Sequence, residues 1–142
     1  MSRRDAREKA FMLLYQLEIQ RGDEEAQMAS FIAERDVEAS EVEYLTSLVN
    51  GVREKQIDLD SRFTPFLKRW SKDRLPKVDL TILRLAVFEI VYVPDVPNNV
   101  AISEAVLLCK KYSSEESRSY VNGVLGRLCK GFSADSSKGP SE

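Results

Sequence analysis

One stretch of this sequence constrains the fold more than any other: residues 78–93, VDLTILRLAVFEIVYV, are almost entirely apolar. At about 100° per residue, the apolar positions cover most of the circumference of an α-helix. A helix of this kind has to be covered by neighbouring elements on several sides. The stretch therefore predicts a central helix inside a helical bundle.

The polar residues of this helix, Asp79, Arg84 and Glu89, are spaced five apart and point in different directions around it. At least one of them is therefore expected to be partly buried and paired. Arg84 is the candidate, because a buried guanidinium without a carboxylate partner would be very costly. We interpret Arg84 as a structural residue; a catalytic or ligand-binding arginine is the alternative.

The rest of the chain also shows helical periodicity and no convincing strand pattern. Ser2 is a predicted cap of a first helix that runs to about residue 20, and S-x-x-E boxes at Ser40 and Ser113 mark the starts of two later helices. Asn98 or Asn99 is the predicted cap of a helix over 100–112. About seven helices make an all-α fold, with one domain over 1–130, subdomains over about 1–64 and 65–130, and a disordered polar tail over 131–142.

Composition argues against an enzyme or a metalloprotein. The chain contains no histidine, so the commonest general base and zinc ligand are absent, and no glycine-rich phosphate-binding motif occurs. The two cysteines have no C-x-x-C spacing and are expected to be buried free thiols. We expect no cofactor, no metal and no catalytic residue. The absence of a signal sequence and of a long apolar run predicts a cytoplasmic protein.

Two basic segments could bind an anion, although the net charge is −2. Arg3, Arg4 and Arg7 crowd the start of the first helix, where cations oppose the macrodipole, so local stability does not explain them. They form either a solvated helix end or an RNA-binding face. Residues 65–77, PFLKRWSKDRLPK, interleave aromatic and basic side chains, which suits single-stranded nucleic acid. The interpretation we favour there is a core Trp70 with solvated lysines.

Three blocks of sequence, in order, resemble one known family. They are VDLTILRLAVFEI at 78–90, VPNNVAISEAV at 96–106 and KKYSSEESRSYVNGVL at 110–125, preceded by R-R-x-A-R-E-x-A-x-x-x-L-Y at 3–15. This succession resembles the NusB family of bacterial transcription antitermination factors, and the likeness covers roughly residues 3–130.

The resemblance implies a fold of two perpendicular three-helix bundles without catalytic activity. It also implies a partner, NusE, which doubles as a ribosomal small-subunit protein, and binding to the single-stranded boxA element of ribosomal RNA transcripts. Together the two proteins would modify the elongating RNA polymerase so that it reads through terminators. The expected chemistry is binding only.

Matched residue by residue, the family implies RNA-binding positions at Arg3, Arg4, Arg7, Tyr112, Glu116, Tyr120 and Asn122. It implies positions that face NusE at Asp79 and Glu104. Asp5 is a departure from the family pattern, because relatives usually carry a base there. We expect Asp5 to weaken the electrostatic attraction to RNA.

Two other functions remain open on the sequence. NusB-like domains also precede RNA methyltransferase domains, so the chain could be an accessory domain of an rRNA methyltransferase; this would need a catalytic domain downstream. A homodimer that hides its RNA face by self-association is the other possibility.

Overall fold

The computed structural model describes residues 3–68 and 71–135, and the regular secondary structure of this part of the chain is all helical, with no strand. This confirms the predicted all-α class. The helices are α1 (Arg3–Ile19), α2 (Glu24–Glu34), α3 (Ala39–Glu54), α4 (Gln56–Phe63), α5 (Lys77–Tyr92), α6 (Asn98–Tyr112) and α7 (Glu115–Asp135), with 3-10 turns at Thr64–Phe66 and Lys72–Arg74.

The chain divides into two compact units at the junction of Glu54 and Lys55. The first unit contains α1 to α3, and the second contains α4 to α7. This division lies before the boundary expected near residue 64. The reason is that residues 56–63 form a separate helix, α4, whose buried Leu59 and Phe63 belong to the second unit.

In the first unit, α1 packs against α3 and, less extensively, against α2. The apolar residues of α3 recur at three- and four-residue spacing, which places them on one face: Leu45, Leu48, Val49 and Val52 are all buried. An ion pair also joins α1 to α3, with Lys9 Nζ 3.1 Å from Glu41 Oε1.

The second unit is built around α5, which packs against α4, α6 and α7. Every residue from Asp79 to Ile90 is buried, including Arg84 and Glu89. The central position predicted for this helix is confirmed. Because these α5 residues are buried, their polar side chains need hydrogen-bonding partners.

Arg84 has such a partner in Asp60 of α4. Its Nε donates to Asp60 Oδ1 at 2.8 Å and its Nη2 donates to Asp60 Oδ2 at 2.9 Å. Lys72 Nζ lies 3.3 Å from the same Oδ2. The guanidinium therefore joins α4 to α5 through two hydrogen bonds. That its role is structural stays a prediction.

Several helix ends differ from the sequence predictions. α3 begins at Ala39, with Glu41 N donating to Glu38 O at 2.8 Å, so Ser40 lies inside the helix. α6 begins at Asn98 after Pro97, without a side-chain cap. Such differences of one or two residues arise because competing caps stand next to each other.

The last helix, α7, continues to Asp135, into the segment expected to be a polar tail. Once a helix is formed, each further residue adds one backbone hydrogen bond, so it can extend past its last buried turn. The rest of the expected tail, 136–142, lies outside the described residues, as do the predicted cap Ser2 and the predicted core Trp70. Within the described ranges, no helix is long and apolar enough to cross a bilayer.

Candidate nucleic-acid interface

One face of α7 and the segment after the first 3-10 turn enclose a pocket of about 410 Å³. This volume falls within the range of small-molecule sites, about 300–1,000 Å³. The α7 residues involved recur at three- and four-residue spacing, which puts them on one side of the helix. The described residues that line the pocket are Lys68, Glu116, Ser119, Tyr120, Gly123 and Arg127.

A hydrogen-bonded network fixes where α7 begins. Ser114 Oγ accepts a hydrogen bond from Ser117 N at 3.0 Å, which is the geometry of an N-cap. The cap is therefore Ser114, not the expected Ser113. Ser113 Oγ donates instead to Asp79 Oδ1 at 2.7 Å, and Ser117 Oγ donates to Asp79 Oδ2. Asp79 thus ties the start of α7 to the central helix.

Arg127 is one of the residues that line the pocket. Its Nη2 donates to the carbonyl oxygen of Phe66 at 2.7 Å. A Cβ added at Gly123 would come within 3.3 Å of Arg127 Nη1, so a glycine at this position leaves room for the guanidinium. The buried Nε of Arg127 makes no hydrogen bond with the described residues.

The chemistry of this pocket suits an unpaired nucleic-acid strand. The half-buried Tyr120 offers an aromatic ring, and the ammonium of Lys68 and the guanidinium of Arg127 offer positive charge. Single-stranded nucleic acid is commonly bound by cations that follow the backbone and rings that stack on bases. The exposed carboxylate of Glu116 opposes the two cations and can accept a hydrogen bond.

The basic start of α1 divides into exposed and buried members. Arg3 and Arg4 are exposed, as is Asp5, whereas Arg7 is only 5% exposed. The guanidinium carbon of Arg3 lies 4.6 Å from the centroid of the Tyr44 ring on α3. Arg3 and Arg4 are therefore accessible to a phosphate, and Arg7 belongs to the interior.

Two further RNA-binding candidates lie in the second unit. Tyr112, at the end of α6, is half-buried, and Lys111 Nζ is 5.6 Å from the centroid of its ring. Asn122 is exposed on α7. Because it follows Tyr120 by two residues, it points about 200° away from the ring around the helix. Of the four candidates in this unit, only Glu116 and Tyr120 share the pocket.

The two acidic residues expected to face a protein partner are buried. Asp79 is 0% exposed and accepts hydrogen bonds from the hydroxyls of Ser113 and Ser117. Glu104 is 8% exposed. The accessible surface beside Glu104 is apolar, since Val100 and Leu107 flank it at helical spacing and are 37% and 40% exposed. A partner that docks here would first meet these two side chains.

Four of the pocket residues were not among the site candidates that the sequence suggested. Lys68 lies in the basic and aromatic segment, for which solvated lysines were the favoured interpretation. Ser119, Gly123 and Arg127 extend the helical spacing that begins with Glu116 and Tyr120, and this spacing is the signal that could have identified them.

A cluster of perturbed ionisable groups in the second unit lies elsewhere, around Asp58. Hydrogen bonds donated by Tyr92 Oη at 2.6 Å and by Arg62 Nε at 2.8 Å lower the pKa of the Asp58 carboxyl. The same bond to Asp58 raises the pKa of Tyr92. The hydroxyl is thus held as a donor, which is the arrangement of a structural anchor between α4 and α5.

The described residues contain no group of three or more side chains that could hold a metal ion. Neither cysteine is in a disulfide: Cys109 is buried and Cys129 is half-buried. Burial, followed by the nearby charge of Asp79, raises the pKa of the Cys109 thiol to about 12. A thiol in this state is protonated and weakly nucleophilic.

Comparison with known proteins extends these observations. The family model described as "NusB family" matches residues 4–130. A protein of Acetivibrio thermocellus, described as "Transcription antitermination protein NusB", is 45% identical over 130 residues, which cover 92% of this chain and 90% of the relative.

Solved structures give the same result. NusB of T. maritima is 33% identical, with a TM-score of 0.84 and coverage of 92% of both chains. A chain from the crystal structure of antitermination factors NusB and NusE in complex with dsRNA is 28% identical, with a TM-score of 0.82 and coverage of 91% of this chain and 96% of that chain. Because sequence and fold agree over nearly the whole length, this chain belongs to the NusB family.

Proposed function

We propose that this chain is a transcription antitermination factor of the cytoplasm, a non-catalytic adaptor that binds boxA-type single-stranded RNA together with a NusE-type ribosomal protein. In this role it modifies the elongating RNA polymerase during ribosomal RNA transcription. It uses no cofactor. The relatives named as antitermination proteins and the neighbouring complex of NusB, NusE and RNA support this role.

The observation that carries the RNA-binding part is the pocket on α7. It combines a ring, Tyr120, with two cations, Lys68 and Arg127, in one concave surface of the second unit. Proteins that bind single-stranded RNA use this combination, because unpaired bases expose their faces and edges while the backbone remains charged. Exposed Arg3 and Arg4 add positive charge on the first unit.

The protein-binding part is supported by the exposed face of α6. Val100 and Leu107 present apolar surface to solvent on either side of Glu104. Interface cores are poor in charged residues, so an apolar pair of this kind fits a protein partner better than it fits RNA. The same surface could serve a homodimer, which a size measurement with and without RNA and NusE would reveal.

The test is a binding titration of the full chain with fluorescent RNA, measured by anisotropy at several salt concentrations. We expect boxA RNA to bind more tightly than a scrambled RNA of equal length, and more tightly again when purified NusE is present. A duplex of the same sequence is included because the neighbouring complex contains dsRNA. Equal affinity for boxA and scrambled RNA, with no effect of NusE, would refute the proposed function.

A preference for the duplex would retain an RNA-binding adaptor and reject the single-stranded substrate. Salt concentration has to be matched across all arms, since the phosphate contribution to affinity falls steeply with salt.

A further inference from the structure

Arg127 is held in place before any ligand arrives. Its Nη2 is bound to the Phe66 carbonyl at 2.7 Å, and the glycine at position 123 lets its Nη1 pass close to the helix backbone. A guanidinium fixed in this way has less conformational freedom to lose on binding. Its bond to the neutral Phe66 carbonyl does not neutralise the positive charge, and its buried Nε has no acceptor among the described residues.

The charged side chains that line the pocket favour the binding of a phosphodiester beside Arg127. Lys68 is exposed and lines the same pocket as Arg127, so two cations face one carboxylate, that of Glu116. Arginine and lysine are the usual phosphate-binding side chains, and arginine can engage two phosphate oxygens at once. Ser119 adds a hydroxyl that can donate to the same group.

The Tyr120 ring supplies the apolar part of the pocket. It stands one helical turn from Gly123 and is half-buried, so part of its surface faces the open volume. An aromatic surface beside two cations matches the two parts of a nucleotide, a flat base and a charged phosphate. The stacking is tolerant of base identity because every base has a π face.

We propose that the α7 pocket seats a single nucleotide of the RNA, with Arg127 and Lys68 contacting its phosphate and the Tyr120 ring contacting its base. This inference rests on the proposed function and deepens it by assigning the phosphate to Arg127 and Lys68 and the base to Tyr120. Arg127 acts directly on the ligand, and Phe66 and Gly123 are the positioning residues that aim it.

The experiment compares the RNA affinity of the wild type with that of the substitutions Arg127→Gln and Lys68→Gln, across a salt series. Arg118→Gln is the matched control: it also removes one positive charge from α7, but Arg118 lies about 200° around the helix from Glu116 and pairs with Glu115 at 3.6 Å. All variants are checked for thermal unfolding by circular dichroism.

Each pocket substitution is expected to weaken RNA binding about tenfold, the effect of one charge-assisted hydrogen bond. Each should also reduce the slope of log affinity against log salt by about 0.7, the value for one phosphate contact on a single strand. The control should change neither quantity appreciably. If Arg127→Gln unfolds, Lys68→Gln decides, because Lys68 is exposed. Pocket variants that bind RNA with the affinity and slope of the control overturn the inference.

A second measurement separates this inference from the proposed function. Uridine 5′-monophosphate is titrated into isotope-labelled protein while the backbone amide signals of Ser119 and Gly123 are followed by NMR, with uridine and inorganic phosphate as comparison arms. We expect the nucleotide to shift both signals in the wild type and not in Arg127→Gln. Identical shifts in the two proteins contradict the pocket even if boxA RNA is preferred, whereas loss of boxA preference with the shifts retained refutes only the proposed function.

Discussion

Arg84 and Asp60 form a two-point ion pair within the second unit, with Nε and Nη2 of the guanidinium bound to the two carboxylate oxygens at 2.8 and 2.9 Å. The side chains are 8% and 10% exposed. A buried pair of this kind adds little net stability compared with apolar residues, but removing one partner leaves a buried charge. The pair therefore specifies how α4 packs on α5.

Replacing Asp60 with alanine should lower the free energy of unfolding by about 3–5 kcal/mol, because the buried guanidinium of Arg84 would lose the carboxylate to which it makes two hydrogen bonds. The measurement is urea unfolding followed by circular dichroism. The double substitution Asp60→Leu with Arg84→Met should recover most of this stability, since both charges of the pair are then removed together. If the Asp60→Ala variant were as stable as the wild type, this would show that solvent already reaches the ion pair of Arg84 and Asp60.

Replacing Asp79 with alanine should loosen the start of α7. The hydroxyls of Ser113 and Ser117 would no longer have their acceptor, which we expect to reduce the free energy of unfolding by about 3 kcal/mol. Glu115→Ala is the control, because Glu115 stands at the same helix start with its side chain 86% exposed. Equal stability of the two variants in urea would contradict the anchoring role.

The glycines of α7 should respond differently to alanine. Gly126→Ala adds a methyl group to open space and should raise the free energy of unfolding by about 1 kcal/mol through helix propensity. Gly123→Ala has the same propensity advantage, but its Cβ would lie 3.3 Å from Arg127 Nη1 and displace the guanidinium.

Thermal unfolding and RNA affinity together distinguish the two glycine variants. Gly126→Ala should be more stable and bind RNA as the wild type does. Gly123→Ala should remain folded and bind RNA more weakly, because the new Cβ makes the guanidinium shift by a few tenths of an ångström from its position in the pocket. Unchanged RNA affinity in both variants would mean that the position of Arg127 does not matter.

The Cys109 thiol should be inert in the folded protein. Burial raises its pKa to about 12 from the ordinary 9.0, so it stays protonated at pH 8, and iodoacetamide should modify it only at the rate of unfolding. The half-buried Cys129 is the internal comparison and should react faster. Rapid alkylation of Cys109 at pH 8 without denaturant would contradict the assigned burial.

The raised pKa of the Cys109 thiol also predicts that the folded protein loses stability at alkaline pH. Below about pH 9 the thiol is protonated in both the folded and the unfolded states. As the pH rises from the ordinary pKa of 9.0 towards the folded value of about 12, the unfolded thiol ionises and the folded one does not. Stability should therefore fall over this window, and Cys109→Ala should lessen the fall relative to the wild type in urea unfolding at pH 8 and pH 10.

The central helix could be predicted from sequence because its signal is local: apolar residues around the whole circumference leave no other placement for it. Helical spacing from Glu116 indicates the face of α7 on which Arg127 lies, but it does not predict where the guanidinium is held. Its position depends on the Phe66 carbonyl, which lies 61 residues away in the sequence, and no local pattern reports such a contact. The predicted first residues of some helices were wrong by one or two positions, because neighbouring residues such as Ser113 and Ser114 are equally good caps.

Arg7 lies on the buried face of α1, and the spacing of its apolar neighbours indicates this position. It precedes Ala10, Phe11 and Leu14 at helical spacing, and all three are buried. This spacing places Arg7 on the inward face of α1, whereas its charge had suggested a shared basic face with Arg3. At the start of α1, Arg3 and Arg4 are therefore exposed and Arg7 is buried. Substitutions can test the exposed and the buried arginines separately.

Replacing Arg3 and Arg4 together with glutamine should weaken RNA binding and lower its salt slope by about 0.7 for each phosphate that the variant no longer neutralises, while leaving the free energy of unfolding nearly unchanged. Arg7→Gln should show the opposite pattern, a decrease of about 2 kcal/mol in stability with an unchanged slope, because the side chain is 5% exposed.

Arg21→Gln is the control for charge alone, since Arg21 follows the other end of α1 with its side chain 71% exposed.

Asp5→Asn tests the same electrostatic attraction with the opposite sign. Removing an exposed negative charge beside Arg4 should strengthen RNA binding at low salt. The improvement should shrink at high salt, because salt screens the interaction. If the Arg3 and Arg4 double variant kept the wild-type slope while the Lys68 and Arg127 variants showed a reduced one, the cationic contacts to RNA would lie on the second unit alone, and the basic start of α1 would be a solvated helix end.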